Sequence, residues 1–278
     1  MQLFDKSPTP STNVTLMAEV ATLLKPMFEG ADDGQINDCQ ASDCRASDEQ
    51  ITPSNLPTIY VKLVKTTQFL FVLFDTASPM ATDSSTAIQA GIASHFATVN
   101  PLALERELRQ DYLWEKTCFE CFISGDSPIE DRANSPYLEI NLAPQGAFNL
   151  YYFDSYRTPS QMPPRRLPVE ALDYGKDINF FNQPMDSSLG FWQSASREML
   201  DEVQWLAQAY PLASLHHRTA MVLRLEALTT ILPIPKGELL VNPCWVYQSQ
   251  ADKPVLSYWA SHHVSPPDFH DKSVWQNI

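Results

Sequence analysis

The sequence predicts a mainly β protein, an antiparallel sandwich with short peripheral helices. Short runs of β-branched, aromatic and apolar residues recur along the chain between turn residues, and within them apolar and polar side chains alternate. Only eight glycines occur in 278 residues, which favours sheets packed through side chains over glycine-rich propeller blades.

Val14 to Leu24 has helical spacing at Leu16, Val20, Leu23 and Leu24, while its β-branched residues also suit a strand. Residues 29–53 carry Asp, Ser, Gln and Gly with almost no large apolar side chains. Such a segment cannot bury enough surface to offset the entropy of ordering, so a disordered acidic insertion is expected there. Thr58 to Val64 and Phe69 to Asp75 read as a hairpin across Lys65, Thr66 and Thr67. A Ser/Thr/Ala-rich crossover follows, and the charged stretch Leu102 to Gln110 suits a short helix.

Three strand runs then fall between Asp111 and Arg157. In Thr117 to Ile123, the residues Thr117, Phe119, Cys121 and Ile123 share one face, and Cys118, Glu120 and Phe122 the other. In Tyr137 to Leu142, alternation sends Leu138, Ile140 and Leu142 to a core and leaves Tyr137, Glu139 and Asn141 in a row opposite. Phe148 to Phe153 follows a turn at Pro144 and Gly146 and completes a meander. The proline-rich PSQMPPRRLP is a loop, and Asp177 to Phe181 fits a strand. Met199, Val203, Leu206 and Tyr210 recur at helical spacing within Gln193 to Ala209, with Pro211 as a stop. His216 to Leu228 returns to strand chemistry, with Thr219, Met221, Leu223 and Leu225 on one face and Arg218, Val222, Arg224 and Glu226 on the other. Leu239 to Tyr247 and Val255 to Ser261 form a last pair, and Phe269 and Trp275 should lay the tail from Pro266 across the body.

The segments LWEKTCFECFI, YLEINLAPQG, YYFDSYR, LSYWASHH and PPDFH closely resemble the DOMON-like bacterial proteins, relatives of the family-nine carbohydrate-binding modules. The resemblance covers Trp114 to about Arg157 and Leu256 to His270, with only the strand pattern between them. It covers the first hundred residues poorly and implies a jelly-roll-like β-sandwich with a sugar or haem ligand; the length of 278 residues favours one domain over residues 1–278. The resemblance implies no reaction.

The formal net charge is -14, from 33 acidic and 19 basic residues. That balance argues against nucleic acid as a partner, because phosphate backbones are held by Lys and Arg clusters. No apolar run has membrane-spanning length and the start lacks a secretory pattern, so a cytoplasmic, membrane-free protein is expected. No oligomeric state is implied. Cys39, Cys44, Cys118, Cys121 and Cys244 are odd in number, which favours reduced thiols. Cys118 and Cys121, three apart on a strand, point to opposite faces and should neither chelate a metal nor close a disulfide.

The row Tyr137, Glu139, Asn141, with Glu120 on a neighbouring strand, is the candidate site. Acids there could accept hydrogen bonds from sugar hydroxyls, and aromatic rings such as Trp114 and Trp259 could stack on sugar C–H faces. Arg218 and Arg224 complete the set. The competing structural reading pairs Glu120 and Glu139 with those arginines across the sheet. Haem would need axial ligands in an apolar cleft; His262, His263 and His270 are available, but no C-x-x-C-H motif is present and no axial pair stands out, so no cofactor is expected. Asp268 and His270 should tie the tail down, and Asp154 with Arg157 should close a turn. The leading reading is a non-enzymatic module for a carbohydrate or sugar-containing metabolite. A glycan or sugar-nucleotide enzyme using Glu120 and Glu139 is the alternative, and a haem protein the third.

Overall fold

The computed structural model describes residues 14–28, 57–77, 108–144, 146–183, 195–212, 216–234, 237–248, 256–264 and 266–278. The acidic segment expected to be disordered, and most of the expected short helix at Leu102 to Gln110, lie outside them. The described strands are β1 (Leu16–Leu23), β2 (Lys25–Phe28), β3 (Thr58–Thr66), β4 (Phe69–Ala77), β5 (Cys118–Gly125), β6 (Tyr137–Leu142), β7 (Phe148–Phe153), β8 (Ile178–Gln183), β9 (His216–Arg224), β10 (Leu239–Gln248), β11 (Leu256–Ala260) and β12 (Gln276–Asn277). They form two antiparallel sheets. One runs β1-β3-β4-β9-β8; the other runs β2-β11-β10-β5-β6-β7, with β12 also paired to β10.

The first described segment is strand from Leu16 to Leu23 and from Lys25 to Phe28, which settles the choice left open for Val14 to Leu24. β1 pairs with β3, and β2 pairs with β11. Between them Leu24 is 2% exposed and donates its backbone N–H to Ile59 O at 3.0 Å, so the chain changes sheets at a buried leucine. The β3–β4 hairpin turns on Thr66, whose Oγ1 accepts from the backbone N–H groups of Gln68 and Phe69 at 3.2 and 3.0 Å.

Period-two alternation assembles the core between the sheets. Val61, Leu63, Leu70, Val72, Met221 and Leu223 from the first sheet meet Phe119, Cys121, Ile123, Leu138, Ile140 and Val241 from the second. Phe74 and Phe119 touch across the interface with ring centroids 5.1 Å apart. Cys121 lies in this layer and Cys118 on the outer side of the same strand, so the two cysteines do face apart.

Each sheet is also covered outside. Helix α1 (Arg197–Ala209) places Met199, Val203 and Leu206 on Val64, Phe69, Phe71 and Val222 of the first sheet. Ser196 caps it, accepting from Met199 N–H at 3.2 Å. The expected strand through Leu228 stops at Arg224, and Leu225–Ile231 is a second helix, α2. Arg224 pairs with Phe69, the first residue of β4. Beyond it the ladder has no partner strand; Leu225 N–H bonds to Gln68 O at the hairpin turn, and Ala227 and Leu228 reach the core as a helical face. Leu225 is consequently half-buried.

Gly125 ends β5 where the backbone of Pro233 crosses it. A Cβ built at Gly125 would meet Pro233 O at 2.0 Å and Ile234 Cα at 2.9 Å, and neither is the tip of a flexible side chain. Gly125→Ala should therefore cost about 2 kcal/mol, within the range for overpacked sites. Urea unfolding should show it as a lowered midpoint with unchanged slope.

Candidate ligand-binding cleft

The outer face of the second sheet is covered by three pieces of chain: the turn around Leu113–Glu115, the β7–β8 connection and the tail after Pro266. They leave a cavity of about 470 Å³ over β5 and β6. Glu120, Phe122 and Glu139 form its floor, and Trp114, Tyr258 and Phe269 are among its walls. Glu120 sits directly opposite Asn141, and Phe122 opposite Glu139. The two acids are diagonal neighbours on one face, the arrangement that alternation predicts once β5 and β6 are paired.

Both acids are almost wholly enclosed, Glu120 being 3% exposed and Glu139 5%. Asn141 Nδ2 donates to Glu139 Oε1 at 2.8 Å, whereas Glu120 Oε1 is buried without a hydrogen-bond partner. Burial, and then the nearby Glu139, raise the Glu120 carboxyl far above its usual range. Burial likewise pushes Glu139 up to about 7, against the pull of the Asn141 amide and the Arg157 charge. Cys118 and Cys244, on the same face, stay protonated because burial and these acids disfavour thiolates.

The walls come from less regular chain. Trp114 lies half-buried in a single 3-10 turn, edge-on to Tyr151 at 5.7 Å. Arg157 and Met162 come from the proline-rich connection. Arg157 has φ 47°; its guanidinium bonds to Asp268 Oδ1 at 2.8 Å and its backbone N–H to the Tyr137 hydroxyl at 3.2 Å. Tyr156 also donates its hydroxyl to Asp268. The tail is thus clamped to the β7 connection.

Beneath that clamp the Tyr137 hydroxyl meets His270 Nδ1 at 2.7 Å. Burial and the Arg157 charge hold His270 neutral, lowering it to about 3. Lys272 lies 4.8 Å above the Tyr137 ring and donates to Ser135 O and Oγ at 2.6 and 2.8 Å.

Of the eight residues selected from sequence, Trp114, Glu120 and Glu139 line the cavity. Tyr137 and Asn141 share their face but are fully buried, each 0% exposed. Tyr137 is sealed between Phe153, stacked at 4.6 Å, and the tail; Asn141 acts on Glu139 from below. Trp259 points the other way. It pairs with Trp245 in the core between the sheets and donates Nε1–H to Ser257 Oγ at 2.9 Å, while its neighbour Tyr258 faces the cavity.

Arg218 and Arg224 belong to the opposite side of the molecule, on the first sheet. Arg218 is 0% exposed and makes a two-pronged bond to Asp75, at 2.6 and 2.8 Å, and a third to Tyr210 O at 2.7 Å. Arg224 lies 3.6 Å from Asp177 and over the Phe69 ring. Neither arginine neutralises Glu120 or Glu139, so the charge network expected across the sheet does not form. The expected Asp154–Arg157 pair is also replaced, since Asp154 binds Arg165 at 2.9 Å.

Phe122 was legible, because it shares a face with Glu120. Arg157, Phe269 and His270 were missed as cleft residues, because they depend on how loops fold back; Tyr258, one of the aromatic residues offered for stacking on a sugar, was passed over in the final set for its neighbour Trp259, from which parity along β11 separates it. His262 and His263 take other partners, Ser261 Oγ at 3.3 Å and Lys25 O at 2.8 Å. Among the described residues no group of three or more His, Cys, Asp or Glu could hold a metal ion, and no helix is long and apolar enough to cross a membrane.

No protein-family model matches the chain, and no curated protein matches it. Among solved structures, it is similar to a putative carbohydrate-binding protein from Bacteroides uniformis, at 12% sequence identity and a TM-score of 0.41, over 80% of this chain and 77% of that one. A likeness of that degree carries no argument about ligand or site here.

Proposed function

We propose that the protein is a non-enzymatic binding module whose cleft on the second sheet takes a carbohydrate or sugar-containing metabolite. The observation that carries this reading is Glu120, a carboxyl group 3% exposed at the cleft floor with one oxygen unpartnered. A buried polar atom left unpaired is costly, and a polar ligand group relieves it. Trp114, Tyr258 and Phe269 around it supply flat apolar surface for the C–H faces of a sugar ring. The cavity of about 470 Å³ falls within the ordinary range for small-ligand sites. The resemblance of the motif segments to DOMON-like proteins supports the same class, and a single domain in the cytoplasm belongs to the same proposal.

Native mass spectrometry of protein purified from cells should show a retained hexose or nucleotide sugar. Trp114→Ala should weaken its binding by about tenfold or more, about 1.4 kcal/mol, in a protein that still unfolds cooperatively. Turnover of the bound sugar, lost in Glu120→Gln, would move the assignment to the enzymatic alternative. Undiminished affinity in Trp114→Ala would remove the cleft from consideration.

A further inference from the structure

The two acids of the floor have no basic partner of their own. Arg157 is the one Lys or Arg side chain among the described residues lining the cleft, and its guanidinium is bonded to Asp268 at the rim, with 51% of the side chain exposed. His270 is held neutral by burial and by the Arg157 charge. The remaining groups around Glu120 and Glu139 are uncharged: the thiols of Cys118 and Cys244, the hydroxyls of Tyr137 and Tyr151, and the Asn141 amide. Asn141 Oδ1 is also buried without a partner, so the unmet demand beneath this cleft is for donors.

Resting on the cleft reading above, we infer that its ligand carries a protonated amine, as an amino sugar does, seated at Glu120 and Glu139 with its ring against the aromatic wall. A neutral hydroxyl can satisfy one oxygen but leaves the two enclosed acids holding their protons. An ammonium supplies three donors together with the charge that lets them ionise. The lining suits it too, because Trp114, Phe122 and Phe269 are aromatic, and the faces of such rings attract cations. A bare divalent cation is disfavoured by the donor set, since the site offers two carboxylates and the described residues hold no third acid, His or Cys placed to complete a metal site.

Cellobiose and fully deacetylated chitobiose share ring geometry and linkage but differ at C2, where the second carries ammonium groups. Calorimetric titration of the full chain at pH 7 should give the diamine at least a tenfold lower Kd. Glu120→Gln and Glu139→Gln, which keep side-chain shape, should each narrow that gap. Equal affinity for the two probes, or a preference surviving both substitutions, would overturn the ammonium inference while leaving a sugar cleft in place. Binding of neither probe at millimolar concentration would overturn both readings.

Discussion

Asp75→Ala should destabilise the protein by about 3–5 kcal/mol, the usual cost of stranding one member of a buried ion pair. Arg218 is fully enclosed on β9, and Asp75 on β4 receives two of its N–H groups at 2.6 and 2.8 Å. Without the carboxylate, the guanidinium keeps its bond to Tyr210 O but loses the two-pronged bond to Asp75 in a setting with little water. For a chain of this size the melting temperature should fall by roughly 10 °C. Replacing both partners, as in Asp75→Leu with Arg218→Met, should recover most of the loss, because the penalty lies in the unpaired charge. Scanning calorimetry checks both variants. A drop below 1 kcal/mol in the single variant would mean that water reaches Arg218.

The second large effect is a stability that depends on pH through the cleft acids. Glu139 titrates near 7 in the folded chain, against an ordinary value of 4.5, and Glu120 is displaced further in the same direction. Between those values the folded state keeps a proton that the unfolded state has released, so stability falls as pH rises. The coupled pair together accounts for about 3 kcal/mol or more by pH 8, at roughly 1.4 kcal/mol per unit. His270 pulls the other way below pH 6.5, because its proton is bound only in the unfolded state. The acids are therefore isolated by difference: the Glu120→Gln, Glu139→Gln double variant should match wild type near pH 4 and exceed it by about 3 kcal/mol or more at pH 8. The same variant should bind ligand poorly, so stability is gained where function is lost. A stability difference that stays flat from pH 5 to 8 would show that both carboxyls are solvated.

Most of the sandwich was legible because its strands obey a period of two. Phe119, Leu138, Ile140 and Leu223 are all buried, and the same alternation placed Glu120 and Glu139 on one outer face before any pairing was known. What alternation cannot carry is partnership. Arg218 was correctly oriented on its strand, yet its partner is set by β9 joining β4, in a different sheet from the acids. Trp259 was chosen for its motif and not for its parity, and the ring facing the cleft is Tyr258. The strand expected through Leu228 failed for a related reason: apolar, β-branched residues read alike whether or not a neighbouring strand remains to pair with them. The cleft walls lie in the segments with the weakest periodic signal, and so were the hardest to place.

β5 does two jobs at once, with Phe119, Cys121 and Ile123 holding the sheets together and Glu120 and Phe122 shaping the cleft. Floor and wall must then drift at different rates. A change on the floor is felt within one residue by the packing that keeps the fold, and a single deletion in β5 would exchange its two faces, sending an acid into the core and a phenylalanine into the cleft. The walls carry no such obligation. Met162 lies in irregular chain at the rim, where length and identity can vary at little cost to the core. New ligand preferences are therefore most accessible to evolution, and to engineering, by rewriting the rim over an unaltered pair of acids.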